Sequence, residues 1–133
     1  MAISTVTARF GQDVRTVWRA VTDVENCSWR SDLEGCALNG EGRFTERAKG
    51  GCETRFAVTR REEYRRWEFE MENSRMSGRW TGVFSRFGSG TEAVFTEDVR
   101  AKNALLRPFV GMYLKRQQAR YVRDLEAYLE GCR

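Results

Sequence analysis

From Ala104 to Glu130 the chain reads ALLRPFVGMYLKRQQARYVRDLEAYLE, and its apolar residues recur four apart: Leu106 with Val110, Val110 with Leu114, Tyr121 with Leu125, Leu125 with Leu129. Residues at that spacing share one face of an α-helix, so the segment predicts one long amphipathic helix whose stripe also takes in Tyr113 and Tyr128. At a rise of about 1.5 Å per residue it would span about 40 Å. Pro108 is tolerated only in a first turn, which sets the start between Ala104 and Arg107 with Asn103 as the candidate cap. Everything from Leu33 to Val99 alternates in short segments instead. One long helix therefore faces one sheet.

The segments follow from period two and from turn residues. Ile3 to Phe10 is a first strand with Val6, Ala8 and Phe10 inward. Gly11 breaks it, and Asp13 is placed to cap a short helix over Val14 to Val21, with Val14, Val17, Trp18 and Val21 on its apolar face. A second short helical turn is expected around Asp23 to Trp29. Strands then read as Leu33–Leu38, Arg43–Ala48, Glu53–Arg60, Arg65–Glu72, Ser77–Phe87 and Thr91–Arg100. Asn39-Gly40-Glu41-Gly42, Gly50-Gly51, Asn73-Ser74 and Gly88-Ser89-Gly90 supply turns. The order is strand, two short helices, six strands, one long helix. This is an α+β arrangement, an antiparallel sheet with its helices gathered on one side.

A chain of 133 residues is most simply one domain, residues 1–133, able to build a core without staples. Its 23 basic and 19 acidic residues are interleaved, which argues against nucleic acid as partner. No apolar run approaches the roughly 18 residues of a membrane span, so stable membrane insertion is not expected. The opening MAISTVTARF alternates like a strand and lacks the pattern of a signal peptide, which favours the cytoplasm. Cys27, Cys36, Cys52 and Cys132 form no Cys-x-x-Cys pair and are expected to be reduced. Cys36 and Cys52 are the two that neighbouring strands would bring together. The chain has no histidine, which removes His-based triads, proton shuttles and zinc spacings. No glycine-rich phosphate loop opens a helix after a strand, so no metal, nucleotide or flavin cofactor is expected. A homodimer is compatible with the sequence.

Several stretches resemble the START-like superfamily, also called SRPBCC or Bet v 1-like, and within it the polyketide cyclase/dehydrase-type members. They are Phe10 with Val14, Val17 and Trp18; Trp29-Arg30-Ser31-Asp32-Leu33; Phe44-Thr45-Glu46; Met76-Ser77-Gly78-Arg79-Trp80; Gly90-Thr91 leading to Phe95-Thr96-Glu97; and Tyr113-Leu114-Lys115 through Gln117, Tyr121 and Leu125. The likeness covers nearly the whole chain. It implies a helix-grip fold: a curved seven-stranded antiparallel sheet wrapped around the C-terminal helix, two short helices after the first strand, and a tapering apolar cavity between sheet and helix. The superfamily hosts lipid carriers, hormone receptors, cyclases, dehydratases and chaperone activators, so fold does not fix function.

The candidate ligand-binding residues come from the inner phases. Phe44, Phe56, Trp67, Phe69, Trp80, Phe84 and Phe95 are the large inward side chains, able to serve as plain core or as cavity wall. Gly78 and Gly82 flank Trp80 on its face, where a missing side chain leaves space or lets the strand bend. Glu46 and Glu97 share their faces with Phe44 and Phe95. Inward carboxylates there would have raised pKa values and would anchor a ligand or move a proton, unless an arginine such as Arg43, Arg55, Arg79 or Arg86 pairs with them. Trp29 and Asp32 lie at the expected cavity mouth. Phe109 and Tyr113 belong to the first half of the terminal helix, where Gly111 makes the more adaptable roof. The second half, from Gln117 with Tyr121, Leu125, Tyr128 and Leu129, reads as a seal, the boundary falling near Lys115.

The leading reading is a protein that binds a small apolar molecule, lipid- or polyketide-like, between sheet and helix. A polyketide cyclase/dehydratase-type enzyme and a chaperone-activator-like interaction domain are the rivals. A cavity of about 300 Å³ or more between Trp67, Trp80 and Tyr113 would favour ligand binding. An Arg–Glu pair inside it would raise the enzyme, and an exposed apolar patch outside the sheet would raise interaction.

Overall fold

A computed structural model describes residues 2–131. The elements run β1 (Ala2–Phe10), α1 (Val14–Thr22), β2 (Leu33–Gly40), β3 (Arg43–Ala48), β4 (Glu53–Glu62), β5 (Arg66–Glu72), β6 (Met76–Phe87), β7 (Gly90–Ala101), a 3-10 turn (Arg107–Phe109) and α2 (Val110–Glu130). The strands form one antiparallel sheet in the order β1-β7-β6-β5-β4-β3-β2. Each hairpin pairs neighbours in sequence, and β1 returns to lie beside β7 with Val6 opposite Phe95 and Ala8 opposite Ala93. This is the seven-stranded helix-grip architecture that the sequence implied.

The β1–β7 and β6–β7 ladders run without a register break. Breaks occur at Leu33/Gly35, Leu38/Gly40 and Val58/Arg60. Bulges bend a strand and increase its twist, and all three fall on β2 and β4. The turn between β3 and β4 needs left-handed backbone at two successive residues. Gly50 and Gly51, at φ 102° and 91°, provide it without a Cβ penalty.

Asp13 caps α1 as expected, its Oδ1 accepting from the Thr16 N–H at 2.8 Å. That contact, with the Thr16 backbone, holds the Asp13 carboxyl below its ordinary pKa. Val17, Trp18, Ala20 and Val21 are buried. Trp18 sets its edge against Phe84 at 5.2 Å, joining α1 to the sheet. The main core gathers these residues with Phe10, Ala93 and Phe95 and with Leu125 and Leu129 of α2. A smaller cluster holds Val99, Ala101, Val110 and Leu114.

Three expectations change. Only one helix follows β1, because residues 23–32 form successive turns: Asn26 N–H bonds Asp23 O and Arg30 N–H bonds Cys27 O. The α-helix proper begins at Val110, not between Ala104 and Arg107. Asn103 Oδ1 accepts from the Leu105 N–H and starts a run of tight turns that carries Pro108 into a 3-10 segment. With 21 residues, α2 is about 32 Å long. Finally, Cys27 and Cys36 are joined by a disulfide, with Cα atoms 6.2 Å apart. Cys36 lies on β2 opposite Glu46 of β3, and β3 separates it from the start of β4, where Cys52 remains a free thiol. The expectation for Cys132 lies outside the described residues. Among the described residues no helix is long and apolar enough to cross a membrane.

Candidate ligand-binding cavity

Period-two alternation aims one row of side chains from each strand at α2. Phe44 and Glu46 come from β3, Phe56 from β4, Trp67 and Phe69 from β5, Trp80 from β6, and Phe95 and Glu97 from β7. The aromatic rings form a continuous belt. Phe44 stacks on Phe56 at 4.6 Å, Phe69 on Trp80 at 4.8 Å and Trp80 on Phe95 at 5.3 Å, and Phe95 meets Tyr121 of α2 edge-on at 5.5 Å. Tyr121 in turn meets Trp29, which stacks on Tyr128.

This belt does not close on itself. Between it and the part of α2 from Val110 to Tyr121 lies a cavity of about 720 Å³. Trp29, Phe44, Glu46, Phe56, Trp67, Phe69, Trp80, Glu97, Phe109 and Tyr113 all line it, so ten of the twelve residues singled out in the sequence come together there. Phe84 and Phe95 do not: Phe84 packs against Trp18 of α1, and Phe95 packs between Trp80 and Tyr121. The cavity also reaches farther along α2 than Lys115, to Gln117, Arg120 and Tyr121. Tyr121, read as part of the seal, is both seal and wall.

The two glycines beside Trp80 have separate uses. A Cβ on Gly82 would lie 2.6 Å from the Trp80 ring, so the indole occupies the space that the missing side chain leaves. A Cβ on Gly78 would collide with the backbone of Asp98 on β7, so that glycine serves close strand approach. Neither opens a void.

The polar groups are built around Arg30, which sequence reasoning passed over as a partner. It sits in the turn region before β2, and its guanidinium donates to Asp32 at 3.0 and 3.1 Å and to Glu46 Oε2 at 3.4 Å. Its cation also lies over the Tyr121 ring, 4.9 Å from the centroid. Burial alone would lower the pKa of Arg30, but the charges of Glu46 and Asp32 outweigh it and hold the guanidinium protonated. Burial raises the Glu46 carboxyl, against the pull of Arg30. None of Arg43, Arg55, Arg79 and Arg86 is that partner. Arg55 and Arg79 point to the outer face, where they meet Glu72 and Glu70, and Arg43 and Arg86 are exposed. The adjacent Trp-Arg-x-Asp string, with an acid two residues after the arginine, is the sequence signal that could have found Arg30.

Glu97 is different. It is 8 % exposed, and among the described residues its carboxylate has no hydrogen bond or ion pair. Burial pushes its pKa up to about 7, with Arg30 lowering it and Glu46 raising it. The indole N–H groups of Trp29 and Trp67 are likewise buried without a partner among the described residues. Burial and the Glu97 charge also raise the Tyr113 phenol. The arrangement is a chamber with an aromatic wall, a buried guanidinium held by Asp32 and Glu46, further basic side chains at Lys49, Arg75, Arg116 and Arg120, and one carboxyl poised to donate or accept a proton near neutrality. Among the described residues no three His, Cys, Asp or Glu side chains gather to hold a metal.

The roof is pinned by Gln118, another residue the sequence reading did not single out. Its Nε2 donates to Ser4 O at 2.8 Å and Phe95 O at 3.4 Å, and its Oε1 accepts from Ser4 Oγ at 2.7 Å. The turn region is pinned in the same way, by Ser31 N–H and Oγ donating to Asp124 of α2 at 2.8 Å each.

The sequence profile of the family described as polyketide cyclase/dehydrase and lipid transport matches residues 1–130. No curated protein matches the chain in sequence. Among solved structures, a START superfamily protein from Mycobacterium smegmatis superposes with a TM-score of 0.91 at 15 % identity, covering 100 % of both chains. A conserved protein from Geobacillus kaustophilus gives 0.84 at 12 % identity over 97 % of this chain and 95 % of its own. A protein of the dynemicin biosynthetic locus gives 0.75 at 14 % identity, over 98 % of this chain and 48 % of that one. At these identities the likeness establishes the fold.

Proposed function

The chain belongs to the polyketide cyclase/dehydrase and lipid-transport family, and we propose that it binds a small, largely apolar molecule between the sheet and α2. The observation that carries this reading is the cavity itself: about 720 Å³, walled by aromatic rings, with Glu97 buried in it and unpaired. That volume lies within the range of about 300–1,000 Å³ typical of small-molecule sites. A buried carboxyl without a partner costs stability unless something satisfies it. A ligand with an apolar body and one carbonyl or hydroxyl group supplies both needs. Its body packs on Phe44, Phe56, Trp67 and Trp80, and its oxygen takes a hydrogen bond from protonated Glu97.

A second reading, an enzyme of the cyclase or dehydratase kind, draws on the same carboxyl. A group with a pKa of about 7 beside the fixed charge of Arg30 suits proton transfer at a carbon next to a carbonyl. In that chemistry Glu97 takes the proton and Arg30 stabilises charge developing on the carbonyl oxygen, while the belt excludes water.

Thermal unfolding with a panel of aromatic ketones, hydroxylated polycyclic compounds and fatty acids tests binding. A ligand at about 100 times its Kd stabilises by about 2.7 kcal/mol, which is easily seen as a raised Tm. Oxygenated aromatic compounds should raise Tm, and Glu97→Leu should remove their advantage over the parent hydrocarbons. No shift with any compound would overturn the reading. Turnover of an aromatic β-ketone that rises with pH through about 7 and is lost in Glu97→Gln would favour the enzyme over the carrier.

A further inference from the structure

Between Val99 and Arg123 the chain holds seven of its 23 basic residues and none of its 19 acids. The other residues together are acidic in balance, sixteen basic against nineteen acidic. The same segment carries the densest group of exposed apolar side chains in the described structure. Leu105 is 80 % exposed, Phe109 60 %, Met112 55 %, Tyr113 48 % and Leu106 41 %. Every residue from Lys102 to Phe109 is exposed. Val110 and Leu114 already supply the inward face of this first part of α2. Leu105, Phe109 and Met112 therefore form an additional apolar face, turned away from the core. Beside it stand Arg107, Lys115, Arg116 and Arg120, exposed and without a carboxylate partner among the described residues.

An exposed apolar group of this kind marks an interaction surface, and its surrounding charge selects the partner. We propose that this face docks on the surface of an anionic phospholipid bilayer. Leu105, Phe109 and Met112 enter the boundary between headgroups and acyl chains, and Arg107, Lys115 and Arg116 meet the phosphates. A second copy of the chain fits poorly, because a symmetric contact would set one basic segment against another. The face also rims the cavity: Leu106, Phe109, Tyr113 and Arg116 belong both to its wall and to the outer surface. An apolar molecule would then pass between bilayer and cavity without crossing water. The docking itself does not depend on the cavity having a ligand.

Co-sedimentation with vesicles of phosphatidylcholine alone, and of equal parts phosphatidylcholine and phosphatidylglycerol, tests it. The protein should pellet with the mixed vesicles at low salt, much less with the neutral ones, and less as salt rises. Leu105→Ser with Met112→Ser, and separately Arg107→Glu with Lys115→Glu, should each weaken partitioning by about tenfold or more with unchanged thermal unfolding. Leu105, Met112, Arg107 and Lys115 lie outside the cavity wall, so ligand binding should survive both pairs. Equal pelleting with both vesicle types, none with either, or binding indifferent to both pairs of substitutions would overturn the proposal. So would a dimer in sedimentation velocity that Leu105→Ser with Met112→Ser dissolves, since the face would then belong to a second copy.

Discussion

Arg30 Nη1 donates to Glu46 Oε2 at 3.4 Å, linking the turn region before β2 to the inner face of β3 under the cavity. The side chains of Arg30 and Glu46 are 10 % and 21 % exposed, so the pair is mostly out of water. Removing one partner of a buried pair leaves the other charge uncompensated, and here Asp32 would be stranded as well. Arg30→Met should cost about 3 kcal/mol in urea unfolding at neutral pH. Arg30→Lys should recover only part of that, because one ammonium cannot reproduce the forked contact with Asp32. A loss below about 0.5 kcal/mol would place the pair among ordinary surface bridges.

Glu97 gives the fold a pH dependence of known sign. Its folded pKa of about 7 lies above the ordinary 4.5, so the folded state holds the proton more tightly than the unfolded one. The stabilisation is complete below about pH 4.5 and is lost as pH rises through about 7. A shift of that size corresponds to at most about 3 kcal/mol. Glu97→Gln should flatten the decline between pH 5 and 8, roughly, and make the empty protein more stable than wild type at the alkaline end. Unfolding midpoints measured across that range check it. An unchanged slope in the variant would assign the dependence to another group.

Gln118 holds the helix to the sheet by three hydrogen bonds, to the Ser4 hydroxyl and carbonyl and the Phe95 carbonyl. Gln118→Leu keeps most of the volume and strands the Ser4 hydroxyl, at a cost of about 2 kcal/mol. Faster exchange of the α2 backbone amides next to residue 118 than of those near Leu125 would localise the loss. Uniform exchange along the helix would argue against a local pin.

Gly82 tests how the cavity wall is made. Gly82→Ala puts a methyl group 2.6 Å from the Trp80 ring, which must swing away from its place against Phe69. The expected cost is about 1–3 kcal/mol, with a shifted tryptophan emission and weaker ligand binding in a still-folded protein. Emission and binding both unchanged would mean that the ring position does not shape the site.

Where a residue's direction is set by a local period, it was legible beforehand. Trp67, Phe69 and Met71 alternate with three glutamates, so the inner row could be read from the sequence, while the shared phase of Phe44-Thr45-Glu46 and Phe95-Thr96-Glu97 made both carboxylates inward candidates that a one-residue bulge could still turn outward. What stayed hidden depends on paths without a period. Residues 23–32 follow turn hydrogen bonds, and that path brings Arg30 under the sheet and Cys27 to Cys36. Gln118 interrupts the apolar stripe of α2 with a polar side chain whose partners are Ser4, 114 positions away, and the Phe95 carbonyl, 23 positions away. The division of the aromatics into wall and core turned on what another element sets against each ring, Trp18 of α1 on Phe84 and Tyr121 of α2 on Phe95, which alternation does not encode. Phe84 and Phe95 share the phase of Trp80 and Glu97 and still do not line the cavity.

On the proposed function, the chamber between the aromatic belt and α2 holds a small apolar molecule. Native mass spectrometry of the protein isolated from its own host, set beside a Thr54→Trp variant that fills the chamber, tests it most directly. Thr54 lines the cavity and is partly buried, so the added ring displaces ligand and leaves the main core alone. A discrete extra mass of roughly a few hundred daltons, about what a chamber of this volume admits, is expected on the wild type and none on the variant. Wild type and variant both free of any retained or added ligand, across the same panel of oxygenated aromatic compounds and fatty acids, would contradict it.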